Sequence, residues 1–210
     1  MGMAAATKEW TYEMLQTLPD DGSRYEIIDG ELLVSPAPIW NHQGVLWKLV
    51  VLLDPYLARS RSLFGVFAPA DVAFDDKNVV QPDLFVLPLV DGKEPPTLED
   101  AGSMMLVVEV VSPSTARADR VTKRLLYQRF NVPEYWIIDA DARLVDRWRP
   151  GDARAEVLSE FIEWKPLAVL PALRLDLVDF FRQVHREADD SVSQDEDQGT
   201  LGGRRGRNDT

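Results

Sequence analysis

The stretch LVVEVVSPST, residues 106–115, sets a glutamate among five aliphatic side chains. Read as a strand, it puts Met105, Val107, Glu109 and Val111 on one face and Leu106, Val108 and Val110 on the other. Both faces are apolar, the pattern of a central strand covered on both sides. An ionised carboxylate in such a strand needs a cation, a strong hydrogen-bond donor or a raised pKa. The fold around Glu109 must therefore supply one of these.

A second aliphatic run, VVQPDLFVL at residues 79–87, carries Pro82 and Asp83 where more aliphatic residues would be expected. Proline donates no ladder hydrogen bond, so the Pro-Asp pair marks the entrance of a strand, with Asp83 at its mouth. If the two strands are neighbours, the carboxylates of Asp83 and Glu109 converge. Two oxygen ligands plus waters make a site that Mg²⁺ accepts.

A helix is expected from about Ala116 to Phe130, with Ser114 or Thr115 as N-cap. Steps of 100° place Asp119, Lys123, Leu126 and Phe130 in one arc, with Arg117, Arg120, Arg124 and Gln128 opposite. Tyr127 continues the row of Asp119 and Lys123 at the edge of that arc. An aspartate and a lysine on a core-facing side, just after a buried glutamate, form a polar cluster of the kind found at functional sites. The alternative for Glu109 is a structural ion pair, for which Lys123 is the partner at hand.

Elsewhere the pattern is mixed. Residues 8–18 suit a short helix, and RYEIIDGELLVSP reads as a hairpin turning at Asp29-Gly30, with Ile28 facing Glu31 and Glu26 facing Leu33. Of the two glutamates, Glu31, next to the turn, is the better site candidate. A longer helix begins near Ile39 and stops near Pro55 or soon after, with His42 on its apolar stripe as a core histidine. Strands follow at LFGVFA, DVAFD, DLFVLP and MMLVVEVV, then at EYWIID and LVDRWRP, with a weaker strand pair around AEVLSEFIEW and an apolar segment near LRLDLVDFF. The sum is an α/β fold, a central mixed β-sheet flanked by helices, preceded by an N-terminal helix and hairpin.

With 210 residues, 45% of them hydrophobic, the chain can bury one substantial core, expected over residues 8–185. The last stretch, residues 186–210, has almost no aliphatic residues and reads as a disordered acidic and polar tail. The absence of cysteine excludes disulfides and thiolate metal sites, and no run is long enough to span a bilayer, so a soluble cytoplasmic protein is expected. A net charge of -12 argues against nonspecific coating of nucleic acid, though not against binding at a small site.

The pieces YEIIDGELL, NHQGVLWKLVVLL, QPDLFVL, LVVEVVSPST, the Asp119, Lys123, Tyr127 row and VPEYWIID, in this order, resemble the Uma-two family of restriction-type endonucleases in the PD-(D/E)XK nuclease superfamily, over about residues 8 to 180. The resemblance implies a restriction-endonuclease-like core and an Mg²⁺- or Mn²⁺-dependent endonuclease acting on DNA. It makes Asp83 and Glu109 the metal acids, with Val110 beside them in the metal set. The superfamily's lysine, two residues after the second acid, is absent, since that position is Val111. Lys123 is the replacement candidate, for orienting or deprotonating water, and Glu31 and Tyr127 complete the catalytic set. Arg117, Arg120 and Arg124 form the one conspicuously basic stretch and the expected landing place for DNA. A homodimer through the Trp-rich strands near residue 140 is a further expected partnership. The rival expectation is a nuclease-fold protein without turnover, acting as a binding or assembly module.

Overall fold

Asp29 (φ 52°) and Gly30 (φ 76°) both occupy the left-handed region, the geometry that a two-residue hairpin turn requires. They join β1 (Arg24–Ile28) to β2 (Glu31–Ser35), with Ile28 opposite Glu31 and Glu26 opposite Leu33. The computed structural model describes residues 9–36, 40–60, 62–67, 70–89, 91–93 and 104–187, so the expected tail lies almost wholly outside the described residues. Helix α1 is shorter than expected, Tyr12–Leu15, capped by Thr11. The chain entering it is tied down at two places: the Trp10 N–H bonds the Gly30 carbonyl of the hairpin turn at 2.8 Å, and the Tyr12 N–H bonds the Asp76 carbonyl, outside the hairpin, at 2.9 Å.

Two sheets carry the fold. Helix α2 (Trp40–Ser60) runs through Pro55 to Ser60 before the chain enters β3 (Leu63–Phe67). Then come β4 (Val72–Asp75), β5 (Asn78–Val80) and β6 (Leu84–Pro88). The first sheet has the order β2-β1-β5-β4 and is antiparallel throughout. The second, six-stranded sheet adds β7 (Leu106–Val110), β8 (Tyr135–Asp139), β9 (Leu144–Trp148) and β10 (Glu156–Leu158) in the order β10-β9-β8-β7-β6-β3. Only β7 and β8 pair in parallel among these strands, so the sheet is mixed. Their crossover runs through a π-helical turn (Ala118–Lys123) and α3 (Arg124–Arg129).

Strand β7 is central, as its two apolar faces require. Leu106, Val108 and Val110 pack with Leu49 and Leu53 of α2 and with Phe181 of α4 (Leu177–Val184), while Val107 packs with Leu126 and Tyr127 on the opposite face. Helix α2 lies close against β3: a Cβ added at Gly65 would stand 2.8 Å from a Leu57 methyl. One expectation is corrected here. The strands around AEVLSEFIEW do not pair with each other; β10 joins β9, and β11 (Phe161–Trp164) pairs with β12 (Leu173–Asp176) as a separate ribbon.

The run at residues 79–87 is two strands rather than one. Strand β5 ends at Val80 in the first sheet and β6 begins at Leu84 in the second. Gln81, Pro82 and Asp83 carry the chain between the sheets, so Asp83 sits at their junction.

Candidate active site

Strands β6 and β7 are antiparallel neighbours with Leu84 opposite Val108, and one step further sets Asp83 across from Glu109. The convergence expected of the two acids is thus built into the register. Asp83 Oδ2 accepts a hydrogen bond from the Val110 backbone N–H at 2.7 Å and lies 2.8 Å from His42 Nε2. Glu109 Oε1 accepts from Lys123 Nζ at 2.9 Å and from the Tyr127 hydroxyl at 3.2 Å. The remaining oxygens face one guanidinium: Arg24 Nη2 is 2.8 Å from Asp83 Oδ1, and Arg24 Nη1 is 3.9 Å from Glu109 Oε2. Lys123 also meets Glu26 Oε1 at 2.9 Å and Asp119 Oδ1 at 3.6 Å. Glu26 Oε1 in turn accepts the Gln81 backbone N–H at 2.8 Å, tying β1 to the crossing between the sheets. Arg24, Glu26, His42, Asp83, Glu109, Asp119 and Lys123 line a pocket of about 240 Å³ that opens to solvent between β1, the start of α2 and the loop at residues 112–115.

Asp119 and Lys123 reach this pocket from the π-helical turn, whose widened backbone is a feature often found at functional sites. The Tyr135 hydroxyl bonds the Asp119 carbonyl at 3.1 Å and its ring packs 4.7 Å from that of Tyr127, fixing the turn against β8.

The electrostatics are lopsided. Four buried carboxylates, Glu26, Asp83, Glu109 and Asp119, face two obligate cations, Arg24 and Lys123, an excess of two negative charges when all the acids are ionised and His42 is neutral. Burial, aided by the charges of Asp83, Asp119 and Glu26, lifts Glu109 well above the carboxylate range against the opposing pull of Lys123. Burial also raises Asp119, although Lys123 and Thr115 oppose it. Asp83 goes the other way: burial would raise it, but His42, Arg24 and the Val110 N–H lower it to about 2. For Lys123, burial favours the neutral amine, yet Glu109, Glu26 and Asp119 reverse this and hold the ammonium above the ordinary lysine range. The ammonium so held donates to and is paired with the carboxylates around it.

The residues fit a divalent cation. Asp83 Oδ1 is buried and accepts no well-aligned hydrogen bond among the described residues, although the Arg24 guanidinium pairs with it at 2.8 Å. That oxygen and Glu109 Oε2 face the same space, and both are hard donors suited to Mg²⁺ or Mn²⁺. Among the described residues no three His, Asp or Glu side chains gather as a metal cluster, so a cation here would take two carboxylates and complete its shell with water, a habit of Mg²⁺.

Several expected positions are placed differently. Glu31 is exposed on β2, the edge strand, and outside the pocket, whereas Glu26 on the interior strand β1 is the glutamate inside it. Val110 enters through its N–H, which holds Asp83. Arg120 is paired with Asp139 at 2.7 Å and Asp146 at 3.3 Å; Arg124 stacks 4.7 Å over Trp148 and bonds Gln128. Arg117 is exposed with no ion pair among the described residues, and none of the three arginines lines the pocket. Two groups of the pocket were not expected there: Arg24 meets Asp83 Oδ1, and His42, expected as a core histidine, holds Asp83 Oδ2. The signal for Arg24 was the alternation of β1, which sets Arg24, Glu26 and Ile28 on one face.

The chain is similar in structure to a solved protein from Anabaena variabilis ATCC 29413 described as a "putative nuclease belonging to DUF820", with a TM-score of 0.66 and 20% identity, covering 83% of this chain and 98% of that one. At that identity the likeness speaks for the fold alone, a mixed α/β architecture with a central mixed sheet flanked by helices. No curated protein matches the chain. The sequence model of the Uma2 (Uma-two) family, described as "Putative restriction endonuclease", matches residues 12–178. That span takes in both sheets, the π-helical turn and every residue of the pocket, and the chain belongs to the Uma2 family.

Proposed function

We propose that the chain is a divalent-cation-dependent endonuclease that hydrolyses phosphodiester bonds in DNA, with Mg²⁺ or Mn²⁺ held by Asp83 and Glu109. The observation that carries this reading is the pair of carboxylates, Asp83 and Glu109, that share the Arg24 guanidinium in a solvent-open pocket whose buried acids outnumber its permanent cations. Such an excess repels a phosphodiester unless a cation offsets it. When bound, the cation supplies Lewis-acid charge on the phosphate and lowers the pKa of water. The chain's own groups fix the geometry. His42 and the Val110 N–H hold one oxygen of Asp83 and leave the other against Arg24. Lys123 and Tyr127 do the same for Glu109. Lys123 brings one positive charge, shared by Glu26, Glu109 and Asp119 at the floor of the site, and leaves the excess of acid that a cation would offset.

The test is cleavage of plasmid and single-stranded DNA with Mg²⁺ or Mn²⁺. Asp83→Asn should lose at least about 10²–10³-fold in rate, the scale for removing one pre-organised charge. Equal rates in the variant would defeat the assignment. A second reading, a module that binds without turnover, draws on Val111 at the superfamily's lysine position and on the engagement of Lys123 with three carboxylates. Metal binding lost in Asp83→Asn, with no cleavage of any DNA by the wild type, would favour it.

A further inference from the structure

The pocket has two permanent cations, and they are held very differently. Lys123 is 3% exposed, lies on the floor, and meets three carboxylates within 3.6 Å. Arg24 is 12% exposed and stands at the end of β1 where the pocket opens. It straddles Asp83 Oδ1 and Glu109 Oε2 at 2.8 and 3.9 Å, without the parallel pair of hydrogen bonds that arginine makes with a single carboxylate. The guanidinium lies against Asp83 Oδ1, a buried oxygen that accepts no well-aligned hydrogen bond among the described residues, and reaches toward Glu109 Oε2. A planar fork so placed spans two acids instead of clamping one, and its chemistry matches phosphate as well as carboxylate.

We infer that Arg24 is a displaceable counter-ion: it competes with a divalent cation for Asp83 and Glu109, and once released it turns to the pocket mouth and binds the phosphate of the substrate. The two acids then exchange one positive charge for two, and the arginine meets the DNA only after the pair is loaded. Metal binding and DNA binding are coupled through one side chain. The inference rests on the reading of Asp83 and Glu109 as the cation-holding pair and adds to it an order of events.

The experiment is a Mn²⁺ titration of the full chain, followed by the electron paramagnetic resonance signal of free Mn²⁺, on wild type, Arg24→Gln, Arg24→Lys and Asp83→Asn. Arg24→Gln should bind Mn²⁺ more tightly, by roughly the 5- to 150-fold typical of coupled binding events. With saturating Mn²⁺, the same variant should show a higher KM for DNA. A merely structural role moves both affinities down, so opposite movements are the signature. If circular dichroism shows that Arg24→Gln does not fold, Arg24→Lys keeps the charge on a point donor that cannot span both oxygens, and a smaller tightening is expected. Mn²⁺ affinity no higher than wild type in the variant that folds, while Asp83→Asn abolishes binding, overturns the inference and spares the metal site. Binding indifferent to Asp83→Asn brings down the metal reading and this one with it.

Discussion

Asp119 and Arg120 are adjacent in the chain and belong to opposite electrostatic regimes. Asp119 turns inward to a cluster whose members are almost sealed from water and carry more acids than bases. Arg120 turns outward to Asp139 and Asp146 on β8 and β9, where the side chains keep between 18% and 39% of their exposure. The same residue types occur in both places. In the outer cluster water screens each pair, which is then worth only about 0–1 kcal/mol. In the inner cluster each charge has lost its hydration, and an uncompensated one costs several kcal/mol. A surplus of buried acids over permanent cations must be met by proton uptake or by a further cation, and this separates the proposed site from the ion pairs on the surface.

The sharpest way to break the comparison is Lys123→Met. It leaves Arg24 alone against four buried carboxylates, and unfolding by urea should show a loss of about 3–5 kcal/mol. Wild-type stability would mean that the inner acids are not charged and the two clusters do not differ as argued.

Glu109→Gln should act in the opposite direction. The folded-state pKa of Glu109 is raised, so its favourable contribution is complete below the unfolded value near 4.5 and fades as pH climbs through the folded one. Glutamine fixes the uncharged condition. Without divalent ions the variant should therefore melt above wild type at pH 7–8, with the gap closing toward pH 4.5 at up to about 1.4 kcal/mol per pH unit. It should also lose the rise in Tm that Mn²⁺ gives the wild type. A melting difference that stays flat across this pH range would show that Glu109 carries no burial penalty.

What the sequence made legible follows from local rules. The two apolar faces of residues 105–111 announced a central strand, Asp29-Gly30 set the hairpin register, and helical spacing turned Asp119, Lys123 and Tyr127 to the same side. What it hid depends on pairing between distant segments. The choice between Glu26 and Glu31 turns on β5 docking beside β1, which makes β1 interior and leaves β2 at the edge. Arg24 reads as an ordinary strand-end charge until Asp83, 59 positions later, is brought against it. The three arginines looked like a free basic face because the acids that occupy Arg120 come from β8 and β9.

The smallest effect tests that last point. Arg120→Ala removes a partly exposed, ion-paired arginine and should cost less than about 1 kcal/mol in stability. It should leave DNA affinity almost unchanged, since the guanidinium is already engaged by Asp139 and Asp146. Arg117→Ala should behave differently. Arg117 is exposed and unpaired among the described residues, at the turn that leads into the π-helical segment beside the pocket loop. If it touches one phosphate, the slope of log K against log salt should become shallower by about 0.9, with no loss of Tm. Fluorescence anisotropy of a labelled duplex across a salt series separates the two. Equal flattening by both variants would mean that DNA strips Arg120 from its acids, and the outer cluster would then be part of the binding surface.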